Sequence, residues 1–130
     1  MTSVFTGTFV RRFDVKNRVR LPSEMRDILD AEDRKGMYLR AERLCISIWP
    51  RALLQTIAAG NTDPVANTSF NRLFYSSLHF RGFDAAGRVL VPTDLMRQLP
   101  NGQVLFVGVG DHIELWSPER FAQETADSIV

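Results

Sequence analysis

Alternating hydrophobic and polar positions along this chain predict short strands separated by tight turns. Residues 5–13 are rich in Thr, Val and Phe, a composition typical of a strand. Residues 14–17 contain the Asp and Asn that favour a turn. In the next four residues apolar and arginine side chains alternate, which predicts a second strand with Val19 and Leu21 on one face and Arg18 and Arg20 on the other.

A short helix and two more strands follow. Pro22 opens the helix, and its apolar side chains fall on one face: Met25, Ile28 and Leu29. The charged segment 32–36 ends this helix at a glycine. Strands are predicted at 37–40 and 44–49, so the first part of the chain forms a ββαββ unit.

The middle of the chain is predicted to be helical with a linker inside it. Pro50 starts a helix that carries three apolar residues: Ala52, Leu53 and Ile57. Residues 58–68 contain Gly, Pro and Asn and are interpreted as the linker. Apolar residues then recur at helical spacing: Phe70, Leu73 and Phe74.

The strongest signal is an internal repeat. Residues 13–22 align with residues 83–92 at a constant offset of 70, and five of the ten positions are identical: Phe, Asp, Arg, Val and Pro. The similarity continues through the helix, where Leu95 and Leu99 match Met25 and Leu29. The similarity also includes the last strand of each half, where residues 44–50 match residues 111–118. Two similar ββαββ units therefore make up the chain.

Chain length limits how these units fold. With 130 residues, 45% of them hydrophobic, the chain buries one sizeable core or two small ones that pack together. Neither unit is large enough to be stable alone. We therefore predict a β-rich α+β fold, in which units 5–50 and 77–120 pack as a pseudo-dimer with peripheral helices and a helical linker region at 51–76.

Charge is distributed unevenly along the chain. The formal net charge is only +1, so the whole monomer is not a polycation. Residues 1–22 nevertheless carry five basic residues against Asp14: Arg11, Arg12, Lys16, Arg18 and Arg20. This basic cluster is either a solvated strand surface or a local site for an anionic partner.

Cysteine content and hydropathy predict a cytoplasmic protein. The single cysteine, Cys45, excludes an internal disulfide framework and a thiolate metal site, and we expect it to serve packing. The first residues lack a charged leader followed by an apolar stretch, and the longest apolar run, 104–109, is too short to span a membrane. We expect no signal peptide and no membrane partner.

The repeated Asp-x-x-x-Arg spacing suits recognition of DNA. An Asp four residues before an Arg across a tight turn accepts backbone N–H groups and holds the guanidinium. That planar fork fits a phosphate or the O6/N7 edge of guanine. The alternative is a plain turn whose ion pair contributes little. Because the motif is repeated in a basic context, we favour DNA contact by Asp14 with Arg18 and by Asp84 with Arg88.

The remaining basic residues are interpreted as contacts to phosphates or as solvent-facing strand residues: Lys16, Arg20, Arg11 and Arg12. Strand alternation prevents Arg11 and Arg12 from facing a duplex together. Arg26 and Arg97 are expected at the surface or at a subunit interface.

Enzyme signatures are weak. Asp111, His112 and Glu114 could indicate acid–base chemistry, but alternation favours an exposed strand edge. His79 has no second imidazole placed to share a metal. Trp49 and Trp116 are either base-stacking platforms or packing residues, and we favour packing. There is no Gly-rich phosphate loop or nucleophile elbow, so we predict no enzyme, cofactor, metal or small-molecule substrate.

Four motifs in this order resemble the MraZ transcriptional regulators across nearly the whole chain. They are Phe-x-Gly-x-Phe at 5–9, Asp-x-Lys-x-Arg-x-x-x-Pro at 14–22, Asp-x-x-Gly-Arg-x-x-x-Pro at 84–92, and Val-Gly-x-Gly-Asp-His-Ile-Glu-Leu-Trp at 107–116. The chain departs from the family at Asn17, where glycine is usual, and at Ala85 and Ala86, which bring no charge to the second motif.

The resemblance implies a fold and a function. It implies two fused SpoVT-AbrB (double-psi, swapped-hairpin) domains whose Asp-x-x-x-Arg motifs contact double-stranded DNA. It also implies ring-shaped homo-oligomers in the bacterial cytoplasm, associated with the nucleoid, that bind repeated boxes upstream of the division and cell-wall gene cluster. The alternative is an oligomeric interaction scaffold that keeps this fold without strong DNA binding. A small hydrolase using Asp111 and His112 ranks third.

Overall fold

The computed structural model of this chain describes residues 4–32, 36–60, 68–100 and 102–126. In the first half the elements follow the order β1 (Thr8–Arg12), β2 (Arg18–Arg20), α1 (Ser23–Glu32), β3 (Met37–Ala41), β4 (Ile46–Pro50) and α2 (Arg51–Gly60). In the second half they are α3 (Thr68–Ser76), β5 (His79–Arg81), β6 (Arg88–Leu90), a 3-10 helix (Thr93–Gln98), β7 (Gln103–Gly108), β8 (Ile113–Trp116) and α4 (Pro118–Thr125).

The strands form two antiparallel sheets that mix the two halves of the chain. Six strands lie in the order β1-β7-β8-β4-β3-β5, and β2 pairs with β6 in a separate two-stranded ribbon. Thus β1 pairs with β7, β5 pairs with β3, and β4 pairs with β8. The fold is therefore α+β and sheet-rich, and strands from both halves complete each sheet.

The first strand is held at both ends against β7. Beyond the ladder, Phe5 and Gly110 exchange backbone hydrogen bonds of 2.8 and 2.9 Å. Gly108 lies between them, and a β-carbon there would overlap the backbone of Phe5 and Thr6. Only glycine lets the N-terminal segment approach β7 this closely.

A single hydrophobic core lies between the large sheet, the β2–β6 ribbon and the helices. Within the described ranges, seventeen buried residues form one cluster. The ribbon contributes Val19 and Val89, which face each other in register and are 1% and 0% exposed. Helix α1 contributes Met25 and Leu29, as the sequence predicts. The inward face of the ribbon is thereby fixed, and its arginines are left on the other face.

The two helices that follow Pro22 and Pro92 differ in type. The segment after Pro92 still buries Leu95 and Leu99, but it is a 3-10 helix with hydrogen bonds from Leu95 N to Pro92 O and from Leu99 N to Met96 O, both 2.9 Å. Eleven positions separate Pro92 from the next strand, whereas fifteen separate Pro22 from its next strand. The tighter helix fits this shorter connection.

Helix α2 buries a residue other than the three apolar residues named from the sequence. In α2 the buried residue is Leu54, while Ile57 is 46% exposed. Because α2 begins directly after β4, that strand determines which side of the helix faces the core. The sequence pattern does not decide this, since two adjacent leucines fit either of two faces. Residues 58–60, predicted as linker, belong to α2, and residues 61–67 lie outside the described part of the chain.

Candidate nucleic-acid interface

The first Asp-x-x-x-Arg motif forms a turn organised by one carboxylate, which we call turn 1 (Asp14–Arg18). Oδ1 of Asp14 accepts hydrogen bonds from the backbone N–H groups of Lys16 and Arg18, at 2.9 and 3.0 Å. Oδ2 accepts a hydrogen bond from Nε of Arg18 at 2.8 Å. Asn17 adopts φ 60°, a left-handed conformation that asparagine tolerates. The carboxylate thus closes the turn and fixes the guanidinium together.

The second motif repeats this arrangement in turn 2 (Asp84–Arg88). Oδ1 of Asp84 accepts from the backbone N–H groups of Ala86 and Arg88, both at 2.9 Å, and Oδ2 accepts from Nε of Arg88 at 2.8 Å. Gly87 takes the left-handed position, with φ 76°. Two turns of different sequence therefore hold their arginines in the same way.

Hydrogen bonding keeps both carboxylates ionised. The backbone N–H of Arg18 is the largest cause that lowers the pKa of Asp14, and the backbone N–H of Arg88 does the same for the pKa of Asp84. The side-chain bond and the charge of each arginine act in the same direction. Each turn therefore presents an ion pair at neutral pH, with its arginine and its aspartate both about one-third exposed.

The two turns also touch each other. They lie at opposite ends of the short ribbon, because β2 and β6 are antiparallel. Nη1 of Arg88 nevertheless lies 3.8 Å from Oδ2 of Asp14. Asp14 therefore faces two guanidinium groups, whereas Asp84 pairs with Arg88 alone among the described residues.

The outward face of the ribbon gathers positive charge. Arg20 lies directly opposite Arg88 in the register, and Arg18 lies opposite Leu90. Like charges paired across two strands destabilise a sheet unless another charge compensates them. The aspartates compensate part of this charge, and Arg20 is exposed. Such a face suits an anionic partner, and a two-stranded ribbon has dimensions that fit the major groove of DNA.

The structure brings six of the eight predicted site residues together. Asp14, Lys16, Arg18, Arg20, Asp84 and Arg88 lie on the ribbon and its two turns. Arg11 and Arg12 lie on β1, at the edge of the large sheet. Arg11 is half-buried, with its guanidinium 6.0 Å from the centre of the Phe9 ring, and Arg12 is exposed on the other face.

Arg26 is a residue whose position the sequence did not reveal. It lies on α1, and its guanidinium packs against the α-carbon of Gly87, where a β-carbon would overlap Nη1. A residue of the first half thus covers the turn of the second half. The available signal was the difference between Asn17 and Gly87 at matching positions of the repeat, since only glycine leaves this space open.

Trp49, Asp111 and His112 form a separate cluster, on the face of the large sheet that is opposite the hydrophobic core. The prediction of an exposed strand edge for His112 is wrong: it precedes β8, which lies between β7 and β4, and its side chain is only 15% exposed. The imidazole stacks on Trp49 with ring centres 4.1 Å apart. It is held by Asp111, with Nδ1 to Oδ1 at 2.7 Å. These contacts fit a packing role for the His112 side chain.

The cysteine lies in an environment that suppresses its reactivity. Burial raises the pKa of Cys45 to about 12, and the nearby charges of Glu114 and Glu42 act in the same direction. A buried thiol with a raised pKa carries little of the nucleophilic thiolate form at neutral pH. Among the described residues, no group of three or more His, Cys, Asp and Glu side chains could hold a metal ion, and no helix is long and apolar enough to cross a membrane.

Comparison with known proteins gives a consistent result. A family model described as "MraZ protein, putative antitoxin-like" matches residues 75–129. The "Transcriptional regulator MraZ" of Aromatoleum aromaticum is 32% identical over 121 residues, covering 88% of this chain and 81% of its own length. That of Rhodospirillum rubrum is 31% identical over 123 residues, covering 88% and 79%.

A third relative extends over still more of the chain. The "Transcriptional regulator MraZ" of Thermomicrobium roseum is 28% identical over 127 residues, with 93% of this chain and 87% of that protein covered. Identity above 30% over most of both chains establishes the relationship that the repeated motifs suggest. This chain belongs to the MraZ family, which is a family of transcriptional regulators and not of enzymes.

Proposed function

We propose that this protein binds double-stranded DNA through the outward face of the β2–β6 ribbon and its two turns, and regulates transcription by doing so in a sequence-specific manner. One observation carries the proposal. Two Asp–Arg turns of the same geometry flank a ribbon on which Arg18, Arg20 and Arg88 share one exposed face. Membership of a family of transcriptional regulators supports DNA as the partner of this face.

Each residue has a distinct role in this proposal. Asp14 and Asp84 position the guanidinium groups, and Arg18 and Arg88 read base edges, for which the O6/N7 edge of guanine is the best match. Lys16, Arg20, Arg11 and Arg12 contact phosphates and set affinity without sequence preference. Because Arg11 and Arg12 point to opposite faces of β1, a single duplex engages one of them.

The exchange of strands between the two halves supports an AbrB-like swapped-hairpin pseudo-dimer. In it, residues 5–50 and 77–120 form the two domains, and residues 51–76 form the helical region between them. The backbone bonds of the turns are reciprocal, since Leu21 N donates to Gly87 O at 3.1 Å and Val91 N donates to Asn17 O at 3.0 Å. Each half thereby stabilises the DNA-contacting turn of the other half.

We further propose that the working form is a ring-like homo-oligomer in the cytoplasm, associated with the nucleoid. A net charge of +1 gives one subunit little general attraction for DNA, and a ribbon of three residues per strand covers few base pairs. Several subunits that engage repeated boxes at once would supply the missing affinity through high effective concentration. Boxes upstream of the division and cell-wall gene cluster are the proposed targets.

The test is binding of the purified full chain to its own upstream DNA across a salt series. We expect tight binding that falls linearly in log affinity against log salt, with weaker binding to a scrambled duplex of equal length. Light scattering on the same sample is expected to give a mass of several subunits. Equal affinity for both duplexes, or a monomer that binds one box as well as several, contradicts the proposal.

One observation favours the alternative of an interaction scaffold. Helix α3 exposes Phe70 and Leu73, at 64% and 72%, and Phe70 lines a surface pocket together with Ile57 of α2. Exposed apolar stripes of this kind are typical of protein contacts. A scaffold would assemble in solution and show no salt-dependent DNA binding, so the same two measurements separate the two functions.

A further inference from the structure

We propose that a cleft beside turn 1 binds a phosphate of the DNA backbone and extends the DNA-binding surface from the ribbon to strand β5. The cleft has a volume of about 410 Å³. Three basic side chains line it: Lys16 from turn 1, and His79 and Arg81 from β5. This inference rests on the proposed function, because it takes the ribbon to be the DNA-binding face.

Strand geometry directs the two β5 residues into the same space. His79 and Arg81 are two positions apart, so their side chains lie on one face of β5. Phe80, between them, packs on the other face against Tyr38, with ring centres 5.1 Å apart. β5 is the last strand of the large sheet, and the cleft lies between it, turn 1 and the segment that follows β6.

The basic groups of the cleft are available to a ligand. No ion pair involves Lys16 or Arg81 within the described ranges, and Arg81 uses one N–H to donate to the carbonyl of Phe80 at 2.7 Å. Arginine has five N–H donors, so most of them stay free. Asp94 is the acidic residue in the lining. Lys16 and Arg81 against the single carboxylate of Asp94 leave the lining with a net positive charge.

The repeat shows that part of this basic lining, Lys16 and His79, is specific to one side of the molecule, whereas Arg81 has an arginine as its counterpart. The residues 70 positions before His79 and Arg81 are Phe9 and Arg11, and the residue 70 positions after Lys16 is Ala86. Phe9 packs against the core, whereas His79 is half-buried at the cleft. An imidazole and an ammonium group thus stand where the other side has a core phenyl ring and a methyl group. Packing alone gives no reason for this exchange.

A backbone phosphate is the occupant that the position favours. Lys16 and Asn17 belong both to turn 1 and to the cleft, so DNA on the ribbon brings its phosphates to the cleft entrance. Lysine and arginine bind phosphate through charge-assisted hydrogen bonds, and the Thr93 hydroxyl at the rim adds a neutral donor. The contact would raise affinity for every sequence alike.

Salt dependence of DNA binding tests this inference in the full chain. We expect Arg81→Gln to lower the slope of log affinity against log salt by about 1, and to weaken the upstream duplex and a scrambled duplex by the same factor. Asp94→Asn is expected to strengthen binding to both. Arg72→Gln, an exposed arginine on α3 away from the cleft lining, is the matched control and should leave both duplexes unaffected.

Neutral phosphate substitution locates the contact. A neutral methylphosphonate is placed at successive backbone positions of the duplex. At one of these positions it should weaken binding by the parent protein and leave binding by Arg81→Gln unchanged. If Arg81→Gln keeps the parent slope while Arg18→Ala loses binding, the cleft inference is wrong and the proposed function stands. If the parent protein binds neither duplex at low salt, the proposed function itself fails.

Inorganic phosphate distinguishes a DNA phosphate from a free one. We expect the His79 ring resonances of the DNA-free protein to stay unchanged at micromolar phosphate, because one phosphate contacts few groups in an open cleft. Saturation at micromolar phosphate, with displacement of DNA, would make the cleft a site for a free anion and overturn the assignment to the backbone.

Discussion

Turn 1 and turn 2 have the same internal hydrogen bonds in different surroundings. In both turns one carboxylate accepts two backbone N–H groups and the Nε of the arginine at 2.8 Å. Around turn 1 stand Lys16 and a second guanidinium, that of Arg88, 3.8 Å from Asp14. Around turn 2 stand Ala86 and the side chain of Arg26, which packs on Gly87. The motif fixes how the arginine is held, and the surroundings decide what else the turn can bind.

Under the proposed function, this difference separates recognition of the base sequence from general attraction to the DNA backbone. Both arginines are held in the same geometry, and under the proposed function loss of either should affect specificity. The exposed Lys16 and the cleft of His79 and Arg81 lie beside turn 1, whereas the exposed Arg20 lies opposite Arg88, at the end of the ribbon where turn 2 stands. We therefore expect symmetric effects from the two arginines and asymmetric effects from the residues around them.

The largest expected effect is the loss of either reading arginine. Arg18→Ala and Arg88→Ala should each weaken binding to the upstream DNA by about 1 to 3 kcal/mol, because a bidentate base contact is lost. Anisotropy titrations measure this, with circular dichroism as the control for the fold. Unchanged affinity in both variants, with normal spectra, would remove the central claim. A loss in only one of them would break the symmetry of the comparison.

The two aspartates should differ, because only Asp14 faces both guanidinium groups. Asn keeps the acceptor for the backbone N–H groups and removes the charge. We expect Asp14→Asn to weaken binding several-fold more than Asp84→Asn, since it loosens Arg18 and also removes the second carboxylate contact of Arg88, which Asp84 still holds. The measurement is the ratio of the two dissociation constants. A ratio of one would mean that the 3.8 Å contact does not position Arg88.

Substitutions that remove a basic residue near turn 1 or on the ribbon, or add one to turn 2, test whether the two turns differ in their attraction to DNA. Lys16→Ala and Arg20→Ala should each lower the salt slope by up to about 1 and weaken all sequences alike, and Ala86→Lys should raise non-specific affinity. The three slopes are compared with that of the parent protein. If none of them changes, the basic cluster is a solvated surface and DNA contacts lie elsewhere.

The smallest effect is expected from exchanging the left-handed residues. Gly87→Asn displaces the flexible end of Arg26 and should cost less than about 1 kcal/mol of unfolding free energy. Asn17→Gly should change stability by no more than about 0.5 kcal/mol, because the backbone conformation suits both residues. Urea denaturation followed by fluorescence tests both. A larger loss for Asn17→Gly than for Gly87→Asn would contradict the role given to Arg26.

Local pattern predicted the elements and the turns of this protein well. Alternation placed Val19 inward and Arg20 outward, and the repeat located both Asp–Arg turns at their ends of the strands. These features depend on residues within a few positions of one another, where periodicity and turn chemistry act directly. The α+β class followed from the same signals.

Long-range pairing was beyond the reach of such patterns. The contact between Arg88 and Asp14 and the packing of Arg26 on Gly87 exist because strands of one half pair with strands of the other. Alternation along one strand does not indicate which other strand it pairs with. The prediction for His112 was wrong because β8, which follows it, lies inside the sheet and not at its edge. The cleft of Lys16, His79 and Arg81 likewise joins residues more than sixty positions apart.

The position of β1 has a consequence for how the protein is made. Thr8 pairs with Val107, so the first strand can pair only after strand β7 has left the ribosome. Until then β1 presents an unpaired edge to neighbouring nascent chains, a situation that favours aggregation. Non-local pairing of this kind also slows folding. The first half of the chain therefore cannot complete the large sheet by itself.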